Sequence, residues 1–235
     1  VGVIHENHFV VGGAPTAKNK IFFSATLDPD SFSGTGSGSI QLTDAIVGLA
    51  SFRSDLIIFC KNSIFKLINI SDSSNIAIVP ITQNVGCLDG NSIQEIGGDL
   101  LFLSPDGIRT VAGTARIGDV ELSSVSRQIQ KITTTIANGI NNFVITSGTL
   151  RSKSQYRLFY TNTSQSSAVS KGIIGTLTPN GFEWSETKGI QATGFATGLD
   201  KDGIEQLYHG DNAGYVYNHD TGSIFNPAGS ASNVE

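Results

Sequence analysis

The sequence predicts an all-β chain, a β-propeller-like array of short antiparallel blades with at most one or two short helices. Three observations predict it. Short apolar runs rich in β-branched and aromatic residues alternate with Gly, Asn, Asp, Ser and Pro clusters along the chain. One stretch repeats without a gap 44 residues later. Helical periodicity appears once.

The strands are expected, in order, at "KIFFSA" (Lys20 to Ala25), "DLIIFC" (Asp55 to Cys60), "SIFKLI" (Ser63 to Ile68) and "IAIVPI" (Ile76 to Ile81). They continue at "DLLFLS" (Asp99 to Ser104), "GIRTVA" (Gly107 to Ala112), "YRLFYT" (Tyr156 to Thr161) and "GIIGTL" (Gly172 to Leu177). The last are "EQLYHG" (Glu205 to Gly210) and "GYVYNH" (Gly214 to His219). The helix is expected at "VSRQIQKI", with Ser126 as its cap and Ile129 and Ile132 on one face.

The repeat lays "SDLIIFCKNSIFKL" (Ser54 to Leu67) over "GDLLFLSPDGIRTV" (Gly98 to Val111). Asp55 matches Asp99, Leu56 matches Leu100 and Ile64 matches Ile108. Looser copies are "EQLYHGDNAGYVYNHD" and "QYRLFYTNTSQSSAVSKGIIGTL", with part of another at "NKIFFSATLDPDSF". A period of roughly 40–50 residues with three or four strands per unit is the signature of a propeller. A single small sheet cannot bury both faces, so the units must stack. The 235 residues are expected to form one such domain over 1–235. About four or five units fit. The opening Val1 and the lack of methionine suggest a processed product or a fragment, and the final hairpin suggests a ring not closed by this chain alone.

Charged residues make up only 15% of the chain, against about 25% ordinarily. The net charge of −5 argues against a broad basic surface for nucleic acid. Arg109, Arg116 and Arg127 recur beside Asp106, Asp119 and Glu121, which favours salt bridges or subunit contacts. Cys60 and Cys87 read as free thiols. No run approaches the roughly 18 apolar residues of a membrane span, so no membrane anchor is expected.

The chemical motifs each fail a requirement. "GTGSGS" (Gly34 to Ser39) lacks the lysine of a phosphate loop. "DKDG" (Asp200 to Gly203) lacks the further ligands of a calcium loop and reads as a hairpin turn. His5 and His8, three apart, would face opposite ways along one strand. With His209 and His219 they show no metal-ligand spacing. Trp184 could be a sugar platform beside carboxylates drawn from Asp28, Asp30, Glu183, Glu186 or Asp202, which keeps a glycan-binding or glycan-hydrolysing propeller as the alternative. Neither enzymatic activity nor a cofactor is expected.

The residues singled out are turn residues of the repeat: Asp55, Asn62, Asp99, Pro105, Asp106 and Gly107. Pro105, Asp106 and Gly107 fit the second, third and fourth positions of a type I turn. A catalytic Asp106 does not fit a position where the sister copy holds Asn62. Asp55 and Asp99 suggest a repeated turn or cap contact.

The run "NKIFFSATLDPDSF…AIVGLASFRSDLIIFCKNSIFKL", followed by "TQNVGCLDGNSIQEIGGDLLFLSPDGIRTV", resembles propeller-containing structural proteins of tailed bacteriophages, of the tail-tube, nozzle and neck or stopper type. There a strand ending in "FS" leads to an Asp-Pro-x-x-Phe/Trp turn, an "I-x-G-L" strand and "D-x-L-I-I-F-x-x-x-S-I". The late "GDNAGYVYNHDTGSIF" is similar to a hairpin near the end of such propellers. The resemblance covers about Asn19 to Phe225. It implies a virion part assembled in the bacterial host cytoplasm. It also implies a homo-oligomeric ring around the DNA channel or at the tail tip, in contact with other tail or neck proteins and near packaged DNA without specific binding. It supplies no catalytic residues.

Overall fold

In the computed structural model the described residues are 1–112, 125–165 and 170–221, with strand backbone at 224–225 and 232–233. They form small antiparallel sheets in sequence order. The first holds β1 (Gly2–His5), β2 (His8–Ala14), β3 (Ala17–Phe23) and β4 (Gly38–Gln41). The second holds β5 (Ile46–Phe52), β6 (Asp55–Cys60), β7 (Ile64–Ile68) and β8 (Ala77–Thr82). The third holds β9 (Gln94–Ile96), β10 (Asp99–Ser104) and β11 (Gly107–Thr110). The fourth holds β12 (Val144–Leu150), β13 (Gln155–Thr161), β14 (Lys171–Thr178) and β15 (Gly181–Lys188). The fifth holds β16 (Gly194–Leu199), β17 (Glu205–Gly210) and β18 (Val216–Asn218). β19 (Ile224–Phe225) pairs with β20 (Ser232–Asn233).

This is the expected all-β, propeller-like array, and each of the ten expected strands is present. Within the sheets, neighbours in sequence are neighbours in space. The repeat is real in three dimensions: β5–β6–β7 and β9–β10–β11 occupy the matched segments.

The chain divides into two compact units. The first is built chiefly on Val1–Ile93 and Phe102–Pro105. Its core joins the first two sheets through Val10, Ile21, Phe23, Leu56, Ile58 and Leu67. Phe59 meets Phe102, with ring centroids 5.2 Å apart. The second unit is built chiefly on Gln94–Leu101, Asp106–Thr110 and the described residues from 125 onward. There Phe159 of β13 packs against Phe195 of β16 at 5.5 Å. Glycine at 148 on β12 makes this approach possible, because a Cβ there would fall 2.2 Å from the Phe195 ring.

Burial separates two kinds of strand. In β6, β10 and β13 every residue after the first is buried, so both faces of the strand are covered. Those strands read as apolar runs, broken in β13 by buried Arg157. In β2 and β17 burial alternates from residue to residue. In β2 the second face is half-buried, and in β17 exposed Tyr208 stands between buried Leu207 and His209, as the period of 2 requires.

The helix differs in detail from its sequence signal. A 3-10 turn, Arg127–Ile129, leads into α1 (Gln130–Asn138). Ser126 makes no side-chain cap bond. Its hydroxyl instead accepts the Ile108 backbone N–H at 2.9 Å, because that β11 amide has the stronger claim on a buried acceptor. The buried stripe is Ile129, Thr133 and Ile136, with Ile132 half-buried. None of the described helices is long and apolar enough to cross a membrane.

Candidate functional site

The turn that ends β10 is built on the residues of the repeat. Pro105 and Asp106 span the two-residue turn between Ser104 and Gly107. Gly107 has φ +136°, in the region that favours glycine. Asp106 receives a bidentate pair from Arg109, whose Nε donates to Asp106 Oδ1 at 2.8 Å. Arg109 is 2% exposed. The matched position in the first copy is Phe65, which needs no countercharge. A buried guanidinium without a partner is costly, so Asp106 stands where the first copy tolerates Asn62.

The turn at Asn62 is held by Asp44, which sequence reasoning missed. Its carboxylate accepts the backbone N–H of Ala45 and of Asn62, both at 2.7 Å, and the Ser63 hydroxyl at 3.0 Å. Burial alone would raise the Asp44 pKa, but these bonds from Asn62, Ala45 and Ser63 outweigh it and hold the carboxyl below its usual value. The signal was an aspartate just ahead of an apolar strand, but its targets lie up to 19 residues away. Asp44→Ala is expected to cost about 1–2 kcal/mol, the range for a lost cap with polar groups left behind. Urea unfolding at pH 7 measures it. The deficit should shrink as pH falls below the usual carboxylate value toward the lower folded one, where Asp44 finally loses the charge that makes these bonds strong.

Asp55 and Asp99 open β6 and β10 as the repeat implies. Asp55 pairs with Lys66 Nζ at 3.2 Å, a half-buried pair near the surface worth at most about 1 kcal/mol. Asp99 Oδ1 accepts the Leu100 N–H at 2.8 Å. The turn before Asp99 is made by Gly97 and Gly98, at φ +61° and +76°, the signature of a type I′ hairpin.

The histidine geometry corrects one expectation. His5 and His8 do not lie along one strand. Glu6 and Asn7, at φ +44° and +65°, close a tight turn between β1 and β2, so the two histidines pair directly and share a face. Both are buried and bonded: His5 Nδ1 lies 2.9 Å from Ser51 Oγ, and His8 Nδ1 donates to the Ser24 carbonyl at 2.7 Å. No group of three or more metal-ligating side chains occurs among the described residues.

His209 and His219 come together in the second unit, with ring nitrogens 2.7 Å apart. Two zinc-bound nitrogens, each about 2.0 Å from the metal, would stand farther apart at tetrahedral angles. Arg157, 4% exposed, lies beyond His219 and is bonded to Asp220 and Gln155. Tyr217 stacks on His209 at 4.9 Å and donates to Asp211 Oδ2.

Trp184 is engaged in packing. Its indole N–H donates to the Val125 carbonyl at 2.7 Å, its ring stacks on Phe182, and it covers Gly175. At the "DKDG" turn, Asp200 Oδ1 accepts the N–H groups of Asp202 and Ile204, and Gly203 has φ +76°. That is a hairpin turn. Cys60 and Cys87 are buried and free, with burial pushing both thiols up to about 12. Arg116, Asp119 and Glu121 lie outside the described residues.

Two sheets, one in each unit, carry exposed apolar side chains on an outer face. On the first sheet Ile4, exposed, shares a face with half-buried Phe9, Val11 and Phe22. On the fifth sheet the open face carries Gly194, Ala196, Gly198, Tyr208 and Val216. Val216 is 72% exposed, and none of these residues is charged.

No family model matches the chain, and no curated protein matches it. Among solved structures it is similar to the crystal structure of the N-terminal domain of Nup159, at 11% identity and a TM-score of 0.50. The match covers 93% of this chain and 60% of that one, so the chain spans about 60% of that domain's length. At this identity the likeness concerns the fold alone, and that fold is a β-propeller.

Proposed function

We propose that the chain is a structural component of a tailed-phage virion, of the tail, nozzle or neck, and that identical copies associate into a ring. Its role is mechanical, with no catalytic step and no cofactor. The observation that carries the reading is the contrast between covered and open strands. β6, β10 and β13 are sandwiched on both faces, whereas one face of the first sheet keeps Ile4 exposed beside half-buried Phe9 and Val11, and one face of the fifth keeps Tyr208 and Val216 exposed. Stacked blades are stabilised by their neighbours. Two different open faces on one chain suit a head-to-tail contact, and such contacts close into rings when the rotation allows. The strand-and-turn resemblance to phage tail and neck propellers supplies the setting. Low charge density suits a wall that DNA passes, because few cations are offered to phosphates.

Native mass measurement of the purified chain, with mass spectrometry and cryo-electron microscopy of purified virions, tests the reading. The expected result is a closed oligomer of one size and a matching ring in the particle. A chain that stays monomeric and occurs in no particle overturns it.

A further inference from the structure

The His209–His219 pair sits in a line of polar groups that leaves no acceptor for an extra proton. His219 Nδ1 lies 3.4 Å from Arg157 Nη1. A guanidinium only donates, so His219 Nδ1 must be the bare, accepting nitrogen. The ring proton of His219 is then on Nε2, where it donates to His209 Nδ1 at 2.7 Å. That makes His209 Nδ1 bare as well and puts its proton on Nε2. One arginine thus sets both tautomers. The arginine is held in turn by Asp220, with Nη2 to Oδ2 at 2.6 Å, and Asp220 also takes Lys153 at 2.8 Å.

This line ties the residues just beyond β18 to β13. His209 lies on β17, His219 and Asp220 just beyond β18, and Arg157 on β13. The His219 ring rests between Phe159 and Phe195, at 5.7 and 5.6 Å. A proton added at either bare nitrogen would place donor against donor, with Arg157 on one side and the partner imidazole on the other.

We propose that these groups form an acid-operated latch, which holds the β17–β18 hairpin against β13 at neutral pH and releases it when either imidazole takes up a further proton. The charged and titratable groups around the latch are Arg157 and Lys153 on the cationic side, Asp220 and Asp211 on the anionic side, and Tyr217 stacked on His209. Asp220 favours the imidazolium of His219 and Asp211 that of His209, but burial comes first and opposes both charges, and His209 and Arg157 add to it at His219. The His219 pKa is lowered to about 4. A base whose folded pKa lies below its unfolded value of 6.5 stabilises the fold above that value, and the contribution is lost as pH falls toward the folded one. The window is therefore pH 6.5 down to about 4. Asp220, held at about 2 by Arg157 and Lys153 against the opposing effect of burial, keeps its charge throughout that window.

Hydrogen-exchange mass spectrometry of the whole chain at pH 7.5 and pH 5, corrected for intrinsic exchange, reads the latch. Peptides covering Glu205 to Asn218 should lose protection at least tenfold at pH 5, while those of β6 and β10 change less than twofold. In His219→Gln, which keeps a donor and an acceptor but does not titrate, the pH dependence of that hairpin should flatten. Imidazole nitrogen NMR of the wild-type chain at pH 7.5 should find a bare Nδ1 on both rings. Equal hairpin protection at the two pH values, simultaneous loss in every sheet, or a protonated Nδ1 on His219 at neutral pH would each overturn the proposal.

Discussion

Phe159→Ala is expected to lower the unfolding free energy of the second unit by about 3–5 kcal/mol, the range for removing a fully buried aromatic side chain. Phe159 is 0% exposed. It lies opposite Gly172 in the β13–β14 register, and a Cβ at Gly172 would come 2.5 Å from the Phe159 ring. The glycine and the ring therefore fill one volume between them. Gly172 itself has no side chain to swing in, so a cavity remains. The ring also supports Phe195 and His219, so two sheets lose a contact together. Trp184, the chain's single tryptophan, belongs to the same unit and reports its unfolding by fluorescence in urea. Tyr208→Ala, on the open face of the fifth sheet, should shift the same transition by less than about 0.5 kcal/mol. Equal shifts from the two variants would mean that Phe159 does not anchor the packing of β13 on β16.

The strands legible in the sequence were those whose environment forces an extreme pattern. β6, β10 and β13 are covered on both faces, so "LIIFC" and "LLFLS" read as nearly unbroken apolar runs and "YRLFY" is broken only by Arg157. β2, as "HFVVGGA", and β16, as "GFATGL", were not singled out. They carry small residues where a neighbour's ring or an open face replaces side-chain volume, and glycine weakens any strand signal. The turn residues of the repeat were legible because their backbone needs are local: Pro105, Asp106 and Gly107 speak for themselves. Asp44 was not, since it serves a turn formed by residues brought near by pairing of β5 with β6. The His209–His219 contact was hidden for the same reason. The nine intervening residues say nothing until the β17–β18 register places both rings on one side. His5 and His8 misled because a parity rule for one strand was applied across a turn.

Ile4→Asp and Val216→Asp should each abolish self-association while leaving the fold intact. Both side chains are exposed, at 72% each, so a carboxylate in the free chain stays in water and changes stability by less than about 0.5 kcal/mol. In an assembled contact the same carboxylate would be stripped of water. That costs several kcal/mol, and even 3 kcal/mol is roughly a hundredfold in affinity. The two variants together distinguish a head-to-tail contact from a symmetric one. In a head-to-tail ring, each variant spoils one face and keeps the other. Alone, each should run as a monomer in sedimentation. Mixed, the intact first-sheet face of the Val216→Asp chain can meet the intact fifth-sheet face of the Ile4→Asp chain. That gives a one-to-one dimer that cannot grow, because its two outer faces are the spoiled ones. A symmetric contact of either face with itself predicts something else: one variant stays associated on its own, and mixing creates no new species. Wild-type assembly that survives both substitutions would show that neither open face makes the contact, and the ring would have to be built from other surfaces.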